Sequence, residues 1–505
     1  MPRPTALSLS IALLSAPLAV AGDTEPKPDA VFGGSELSQF FRAAESARVD
    51  VVGIGDSNQL FAGHGWDHGW ILGVDNRIGT YASSLLSLGE NSGNSANAGV
   101  GFRIIATSSQ GTFDYTNAPA PFNDFLTPDI GMRPLNYAYV ADGESTTLRN
   151  HGLAIPASGV LSSTEPLYFH ISYATFASGS PGSFTPIVRL GAPPYSVLQS
   201  FPTITLAGDD EITSAILPFA GSSTAAPIQV MLGTFNSTLN GPFVGYTIRA
   251  ERPTASTGAS FSSLYAYGSQ SARDMAEAIQ QASDKYLIEY FSQIRSLQGP
   301  DKFVMVRINS GLNDRNEDLP PLDGSSFEPS SPEAYAIHLN LIIERIRSIW
   351  TEAGWSQSEL YFLLAPSHPV AQPDEAILSA YREKAREVSS QYDRCVVVDF
   401  AQLTDANEML ANGWYQSGGS DRNHLTEEAY EALSLRELDA LLAYTSCPDI
   451  NGDGLTDLAD LNAVLASFGQ ASSANDLTGD GIVGLQDLNA LLSAFGSPCS
   501  PSNHD

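Results

Sequence analysis

Basic residues are scarce in this chain. Only 25 lysines and arginines stand against 56 acidic residues, a formal charge of −31 over 505 residues. A surface that negative repels phosphates, which argues against nucleic-acid binding and says little about fold. Cysteine is scarcer, with three in the whole chain. Cys447 and Cys499 bracket the carboxyl-terminal segment, so one disulfide joining its two ends is expected in an oxidising compartment. Cys395, in Cys395-Val-Val-Val-Asp399, sits on a strand pattern and reads as a buried free thiol, not as a catalyst. Long apolar runs are also lacking: past Ala21 nothing approaches ~18 continuous apolar residues, so no helical membrane span is expected. The first residues carry an address instead. Arg3 precedes an apolar run from Ala6 to Val20, and Ala19-Val20-Ala21 is a small-residue cleavage pattern, so residues 1–21 read as a signal peptide. The protein is then secreted, extracellular or attached to the cell surface, with a mature start near Gly22. Its 43% hydrophobic content is ample for sizeable cores, and its length predicts several domains.

Four short segments, far apart in the chain, hold the parts that acyl transfer needs: Gly55-Asp56-Ser57-Asn58, a glycine at Gly268, Gly311-Leu312-Asn313-Asp314, and Asp421-Arg422-Asn423-His424. A serine is a weak nucleophile until a base takes its proton, and that base works only when a third group holds its tautomer. His424 and Asp421 suit those two roles. The tetrahedral intermediate also carries an oxyanion, for which the Asn313 side chain and two backbone N–H groups are suitable donors. The context supports the pattern. Arg48 to Ile54 is an apolar run that reads as a buried parallel strand, which puts Ser57 on the turn at its carboxyl end, where open α/β sheets bind ligands. Phe303 to Ile308 is a second such strand leading directly into Gly311-x-Asn313-Asp314, and Asp421-x-x-His424 precedes a helix start at Leu425 to Tyr430.

Plainer readings exist for the neighbours. Gly268 is also readable as a simple turn glycine and Asn313 as a turn former. Asp56 and Asp314 read as braces of their turns. His64 and His68, in Gly63-His-Gly-Trp-Asp-His-Gly-Trp70, lack partner ligands at metal spacing and read as loop or rim residues. His368 ends another strand and is expected to line the pocket, but it has no local carboxylate to make it a rival base.

These four segments resemble the SGNH (GDSL-like) hydrolase superfamily, whose name-giving residues fall here on Ser57, Gly268, Asn313 and His424. The resemblance implies a doubly wound parallel α/β sheet of flavodoxin-like type. It implies Ser57, Asp421 and His424 as the triad, with the acid three residues before the histidine, and Ser57, Gly268 and Asn313 as the oxyanion hole. No cofactor is implied for catalysis. One departure is Asn58, where leucine is common in the family. Beside the nucleophile, it is expected to alter the polarity of the acyl pocket.

The carboxyl terminus contains a repeat. Asp449-Ile-Asn451-Gly-Asp453-Gly-Leu455-Thr-Asp457-Leu-Ala-Asp460 recurs 27 residues later as Asp476-Leu-Thr478-Gly-Asp480-Gly-Ile482-Val-Gly484-Leu-Gln-Asp487. Oxygen ligands at positions 1, 3, 5 and 12, a carbonyl at 7 and a glycine at 6 are what Ca²⁺ requires. The ligand set is then Asp449, Asn451, Asp453, Leu455, Asp457 and Asp460, with Asp476, Thr478, Asp480, Ile482 and Asp487 in the second loop. Thr478 and Gly484 depart from strict form and predict weaker binding there. Each loop runs into an apolar helix pattern, Leu458, Leu461, Val464, Leu465 and Phe468 against Leu485, Leu488, Leu491, Leu492 and Phe495. These are expected to bury against each other. A calcium loop followed by one helix, used twice, resembles a dockerin module, which implies Ca²⁺-dependent attachment to a cohesin-bearing scaffold or cell-surface protein. A purely structural calcium cap is the alternative.

Gly268 lies 211 positions after Ser57, more than one helix and loop require. A helix is predicted around Ile71 to Leu88. Short β-like runs follow, such as Leu167 to Tyr173, Ile228 to Leu232 and Val244 to Ile248, punctuated by turn residues. The expected organisation is a hydrolase core over 22–104 and 257–445, an inserted β-sandwich over 105–256, and a small all-α calcium-binding module over 446–505. The later core alternates helices at Glu333 to Trp350 and Ala376 to Ser389 with strands at Tyr361 to Leu364 and Val396 to Val398, which implies a parallel sheet. A core so interrupted resembles bacterial peptidoglycan and polysaccharide O-acetylesterases. The expected substrate is therefore an acetylated polysaccharide or peptidoglycan. A lipase or broad esterase, a glycan O-acyltransferase and a catalytically idle binding protein are the alternatives.

Overall fold

The computed structural model describes residues 30–56, 58, 66, 69–70, 73, 77, 80–87, 103–104, 138–140, 145–147, 152–155, 157 and 161–497, the last stretch interrupted at 210, 235–236, 242, 254–256, 267–270, 283, 297–301, 316–330, 371–373, 420, 445–447, 452, 454, 471–474 and 479–481. Among them one sheet of eleven strands organises the molecule. Its strands are β1 (Val31–Phe32), β2 (Arg48–Gly55), β3 (Thr80–Ser87), β4 (Ala138–Val140), β5 (Leu167–Ala174), β6 (Ile212–Phe219), β7 (Phe243–Glu251), β8 (Gly258–Ala266), β9 (Val304–Ser310), β10 (Leu360–Pro366) and β11 (Cys395–Val398). The order is β1-β11-β10-β9-β2-β8-β3-β7-β5-β6, with β4 paired to β7.

From β11 across to β3 the strands run parallel. Strands β9, β10 and β11 are buried throughout, and β2 beyond its first residue. Their apolar runs do not alternate because helices cover both faces of a parallel sheet. The helices include α1 (Ser38–Ser46), α2 (Ala272–Gln281), α3 (Asp284–Ser296), α4 (Pro332–Glu352), α5 (Glu375–Ser389) and α6 (Glu427–Leu442). Helix α4 starts where its sequence says it should: Ser331 accepts the Ala334 N–H at 3.1 Å and Pro332 occupies the first turn. Its buried side, including Tyr335, Leu339, Ile342, Ile346 and Ile349, is the apolar stripe read from the sequence.

Three expectations require correction. The sheet is parallel only in its middle, since β1 pairs with β11 antiparallel and β7, β5 and β6 extend the other edge antiparallel. The strands of 105–256 are therefore not set apart as an independent sandwich. β4 to β7 continue the core sheet, while Arg103–Ile104, Gly152–Ile155, Ile187–Leu190, Val197–Ser200 and Ile228–Met231 form a second, antiparallel sheet. In edge strand β6 Leu217 and Phe219 are buried while Ile216 and Pro218 are exposed, the alternation of a sheet with one wet face. The helix expected to reach Leu88 ends earlier: Trp66, Gly69, Trp70, Gly73 and Arg77 are helical, but Thr80–Ser87 is β3, between β8 and β7. Three serines in that stretch weaken helix propensity, and pairing on both sides outweighs the remainder.

The third correction concerns the tail, helices α7 (Leu458–Ala466) and α8 (Leu485–Ala494). Among the described residues only Ile450, Val464, Val483 and Leu491 form its buried core, with Leu461 and Leu488 packed against them. Leu458, Leu465, Phe468, Leu485, Leu492 and Phe495 are exposed, Leu458 at 61% and Leu485 at 68%. A module this small has too little interior to cover every apolar position of two short helices. Its two halves are related by the repeat: Thr456 N–H bonds Ser497 O (3.1 Å) and Gly496 N–H bonds Thr456 O (2.7 Å), and 27 residues on in the repeat Val483 N–H bonds Gln470 O (3.0 Å) and Gly469 N–H bonds Val483 O (2.7 Å). The module starts against the core, where Ser38 Oγ and Arg42 Nη2 of α1 donate to the Asp449 carbonyl at 3.1 and 3.3 Å. No helix among the described residues is long and apolar enough to cross a membrane.

Candidate active site

The strand register brings three of the four candidate segments to one edge of the sheet. Gly55, the last residue of β2, lies beside Ala266 of β8 and Asn309 of β9, and Ser310 lies beside Pro366 of β10. The segments that follow these strands contain, in turn, Ser57, Gly268, Asn313 and His368. Ser57 and Gly268, like His64 and His68, lie outside the described residues. The residues flanking them are described. Asp56 and Asn58 are buried, and Ser271, three residues past Gly268, caps α2 through a reciprocal pair with Asp274.

Asp421 and His424 meet. The His424 Nδ1 lies 2.9 Å from Asp421 Oδ2, while Asp421 Oδ1 accepts the backbone N–H groups of Asn423 (3.0 Å) and His424 (3.2 Å). Burial opposes charge on Asp421, but the hydrogen bond and charge of His424 together with those two N–H groups outweigh it and hold the carboxyl below its ordinary value. A carboxylate anchored in this way fixes the imidazole with Nδ1 protonated and Nε2 available as a base.

Asp56 braces Asn313. Its Oδ2 accepts from Asn313 Nδ2 at 3.0 Å, and its Oδ1 accepts from Asn58 N–H (2.8 Å) and Nδ2 (3.2 Å). Burial pushes the Asp56 carboxyl up to about 6, against the pull of the Asn58 donors and the charge of His424. Asp314 performs a similar service one turn away. Its carboxylate accepts the Ala272 N–H at 3.0 and 3.1 Å and the Gly311 N–H at 3.2 Å, joining the Asn313 turn to the start of α2. Burial raises it to about 7. Gly311 itself has φ +103°, a backbone conformation that side-chain-bearing residues rarely adopt.

Two expectations fail here. Asn58 does not line an acyl pocket: it is buried, and its Oδ1 accepts from the Tyr430 hydroxyl of α6. This makes a polar bridge between the turn after β2 and the helix that follows His424. His368 is enclosed too deeply to line a pocket. Its Nε2 lies 3.3 Å from the Arg422 carbonyl, and burial pushes its imidazole down to about 4, so it stays neutral and supports the backbone of the loop that carries Asp421 and His424.

Sequence reading missed Arg315, Tyr430 and the pair Arg307–Glu437. The last is fully buried beneath the site, with Arg307 Nη2 3.0 Å from Glu437 Oε2 and the Trp70 indole donating to the same carboxylate at 2.8 Å. The guanidinium lies over the Trp66 and Trp70 rings at 5.1 and 5.5 Å. Arg315, two residues past Asn313 in the same motif, was the one with a local signal.

In the tail, Asp460 Oδ1 accepts the N–H groups of Ile450 (2.6 Å) and Asn451 (3.1 Å), and Oδ2 that of Asp457 (2.8 Å). Asp487 does the same for its loop, accepting from Thr478 N–H (2.9 Å), Thr478 Oγ1 (3.0 Å) and Gly484 N–H (2.6 Å). Asp480 lies outside the described residues. No group of three or more His, Cys, Asp or Glu is gathered to hold a metal ion among the described residues. The side-chain donors at the loop positions are all oxygen, which suits a hard divalent cation. Cys395 is buried and free, its thiol pushed up by burial, while Cys447 and Cys499 lie outside the described residues.

No family model and no curated protein sequence matches the chain. Among solved structures it is similar to a peptidoglycan O-acetylesterase, at 11% identity over 81% of this chain and 95% of that one, with a TM-score of 0.49. It is also similar to a carbohydrate esterase family 2 enzyme with a carbohydrate binding domain from Corynascus thermopiles (Myceliophthora fergusii), at 13% identity over 61% and 99% of the two chains and a TM-score of 0.27. A family two carbohydrate esterase from Clostridium thermocellum, in complex with cellohexaose, matches at 10% identity over 60% and 97%, with a TM-score of 0.25.

Proposed function

We propose that this protein is a secreted serine esterase that removes short acyl groups, chiefly acetyl, from a carbohydrate polymer, either a polysaccharide or peptidoglycan. The observation that carries the reading is the Asp421–His424 pair, 2.9 Å apart, on a loop tied to the sheet edge that bears Asn313. Ser57 Oγ attacks the ester carbonyl as His424 Nε2 takes its proton. The oxyanion is held by the Ser57 and Gly268 N–H groups and by Asn313. An amide nitrogen carries two protons, and the one directed to Asp56 fixes the plane of the Asn313 amide so that the other points in a set direction. The intermediate collapses as His424 returns the proton to the departing sugar oxygen, which leaves an acyl-Ser57. Water activated by His424 then releases the acid and restores the serine.

The carbohydrate preference follows from the company the site keeps, a β-rich insert and a repeat tail like those of polysaccharide-degrading enzymes. The tail is read as a dockerin-like module. Asp449, Asn451, Asp453, Asp457 and Asp460, with Asp476, Thr478, Asp480 and Asp487, would hold Ca²⁺, supplemented by the carbonyls of Leu455 and Ile482. Calcium would supply cross-linking charge to two loops and no chemistry to the ester. The six exposed apolar residues of α7, α8 and their ends, in two sets of three, are the surface offered to a cohesin-type partner. Acetate release from acetylxylan and O-acetylated peptidoglycan, compared with Ser57→Ala, tests the reaction. Preference for long acyl chains, or transfer to a sugar hydroxyl in place of hydrolysis, would replace this reading with a lipase or a transferase.

A further inference from the structure

Asn313 and the Asp421–His424 pair come from different strand ends, and one side chain joins them. Arg315 is nearly enclosed, its side chain 6% exposed. Its Nε donates to the Leu312 carbonyl at 3.0 Å, one terminal nitrogen donates to Asn423 Oδ1 across 108 residues of sequence, and the other pairs with Asp374 at the start of α5. The Asn423 backbone N–H in turn donates to Asp421 Oδ1. A continuous chain of hydrogen bonds thus runs from the Asn313 turn through Arg315 and Asn423 to the carboxylate that holds His424.

We propose that Arg315 is a positioning residue that sets the distance and angle between the oxyanion donor and the general base. This inference rests on the esterase reading above. A planar guanidinium suits the task because its fork addresses three partners in fixed directions, which a lysine ammonium on a flexible stem does not reproduce. The buried His368 supports the same loop from the other side through the Arg422 carbonyl, so the base loop is held at both residues between Asp421 and His424. Asp374 is the half-exposed third partner of the fork, and its contact with Arg315 lies outside the run of bonds from Leu312 to Asp421.

The test is the kinetics of acetyl-ester hydrolysis in Arg315→Ala, Arg315→Lys, Asn423→Ala, the double variant Arg315→Ala/Asn423→Ala and Asp374→Ala, with melting temperatures for each. Misplacement of a reacting group by about 1 Å costs on the order of 10²-fold, so Arg315→Ala is expected to lose about 10- to 100-fold in kcat with KM nearly unchanged. Lysine does not restore the rate, and added guanidinium restores part of it. Asn423→Ala loses a similar factor, the double variant loses no more than the worse single, and Asp374→Ala, which removes a partner outside that run of bonds, loses less than Arg315→Ala. A second readout does not need turnover: the low-field proton resonance of His424 Nδ1–H is sharp in the wild type and broadened or absent in folded Arg315→Ala and Asn423→Ala. Wild-type kcat together with an unchanged resonance in Arg315→Ala overturns the proposal, as does full additivity of the double variant. If the wild type shows no Ser57-dependent hydrolysis, the esterase reading fails, and the resonance alone decides whether Arg315 holds the pair.

Discussion

The sheet core and the tail treat apolar residues in opposite ways. In the core, apolar runs disappear: β9, β10 and β11 are buried along their whole lengths, and α4 buries its full stripe. Among the described residues of the tail, an equally regular pattern leaves six large side chains in water, with Leu455 and Ile482 of the loops exposed beside them, around a buried core of four residues. Periodicity says which residues share a face, but burial requires something for that face to meet. In the core, helices and neighbouring strands of the same chain meet it. In the tail, α7 and α8 cover only Val464 and Leu491 and their neighbours, and the outward stripe meets nothing among the described residues. The core is built to place a few polar groups at a sheet edge, and the tail to present apolar ones.

If that division is right, each region can be disabled alone. The largest effect belongs to the core: Ser57→Ala or His424→Ala is expected to lower kcat by about 10⁴- to 10⁶-fold, with the melting curve and partner capture by the tail unchanged. Next comes Asn313→Ala, expected to cost about 10²- to 10³-fold in kcat, as for loss of one oxyanion donor. Stopped assays at saturating substrate will separate this from a KM effect.

The tail provides the converse test. Leu458→Asp with Leu485→Asp is expected to weaken capture by an immobilised cohesin-type domain by about 2 kcal/mol or more while ester hydrolysis is unchanged. Removing calcium with a chelator is expected to abolish that capture and to lower the melting temperature of the tail before that of the core. Loss of esterase activity on the double substitution, or capture that survives it, would break the comparison.

The smallest effect is one of pH. Asp56 is raised from 3.8 to about 6 by burial, so the folded state holds its proton more tightly than the unfolded chain does. Its contribution is fully present below about pH 4 and is lost as pH rises through 6. Asp421 is held below its ordinary value, so its contribution is present at higher pH and is lost on acidification. Across that window Asp56→Asn should gain stability relative to wild type as pH rises, by about 2–3 kcal/mol at most. Thermal melts of both proteins between pH 4 and 7 measure the slope. A difference that does not change with pH would mean that Asp56 is not the carboxyl that titrates.

What could be read from the sequence was whatever is local. Arg48 to Ile54 and Phe303 to Ile308 announced buried parallel strands, and the three-residue spacing of Asp421 and His424 announced their contact, because neighbours in one loop have few ways to avoid each other. The second group of features depended on distant partners. Thr80–Ser87 became a strand because β7 and β8 flank it, and Asn58 turned away from the substrate side because Tyr430, 372 residues on, was there to bond it. Arg315 sat inside a recognised motif, yet its partners Asp374 and Asn423 are brought to it only by the closed fold. The insert misled for the same reason: its strands look self-sufficient, but β7 pairs with β3, which makes β7, β5 and β6 a continuation of the core sheet.

The central claim is that the sheet edge carrying Asp421, His424 and Asn313 performs serine-dependent deacetylation of a glycan. The most direct measurement is acetate released from acetylxylan and O-acetylated peptidoglycan by the wild type beside Ser57→Ala and His424→Ala. Release from at least one glycan that disappears in both variants is the predicted result. Release that persists in Ser57→Ala, or none from any acetylated glycan, would contradict it.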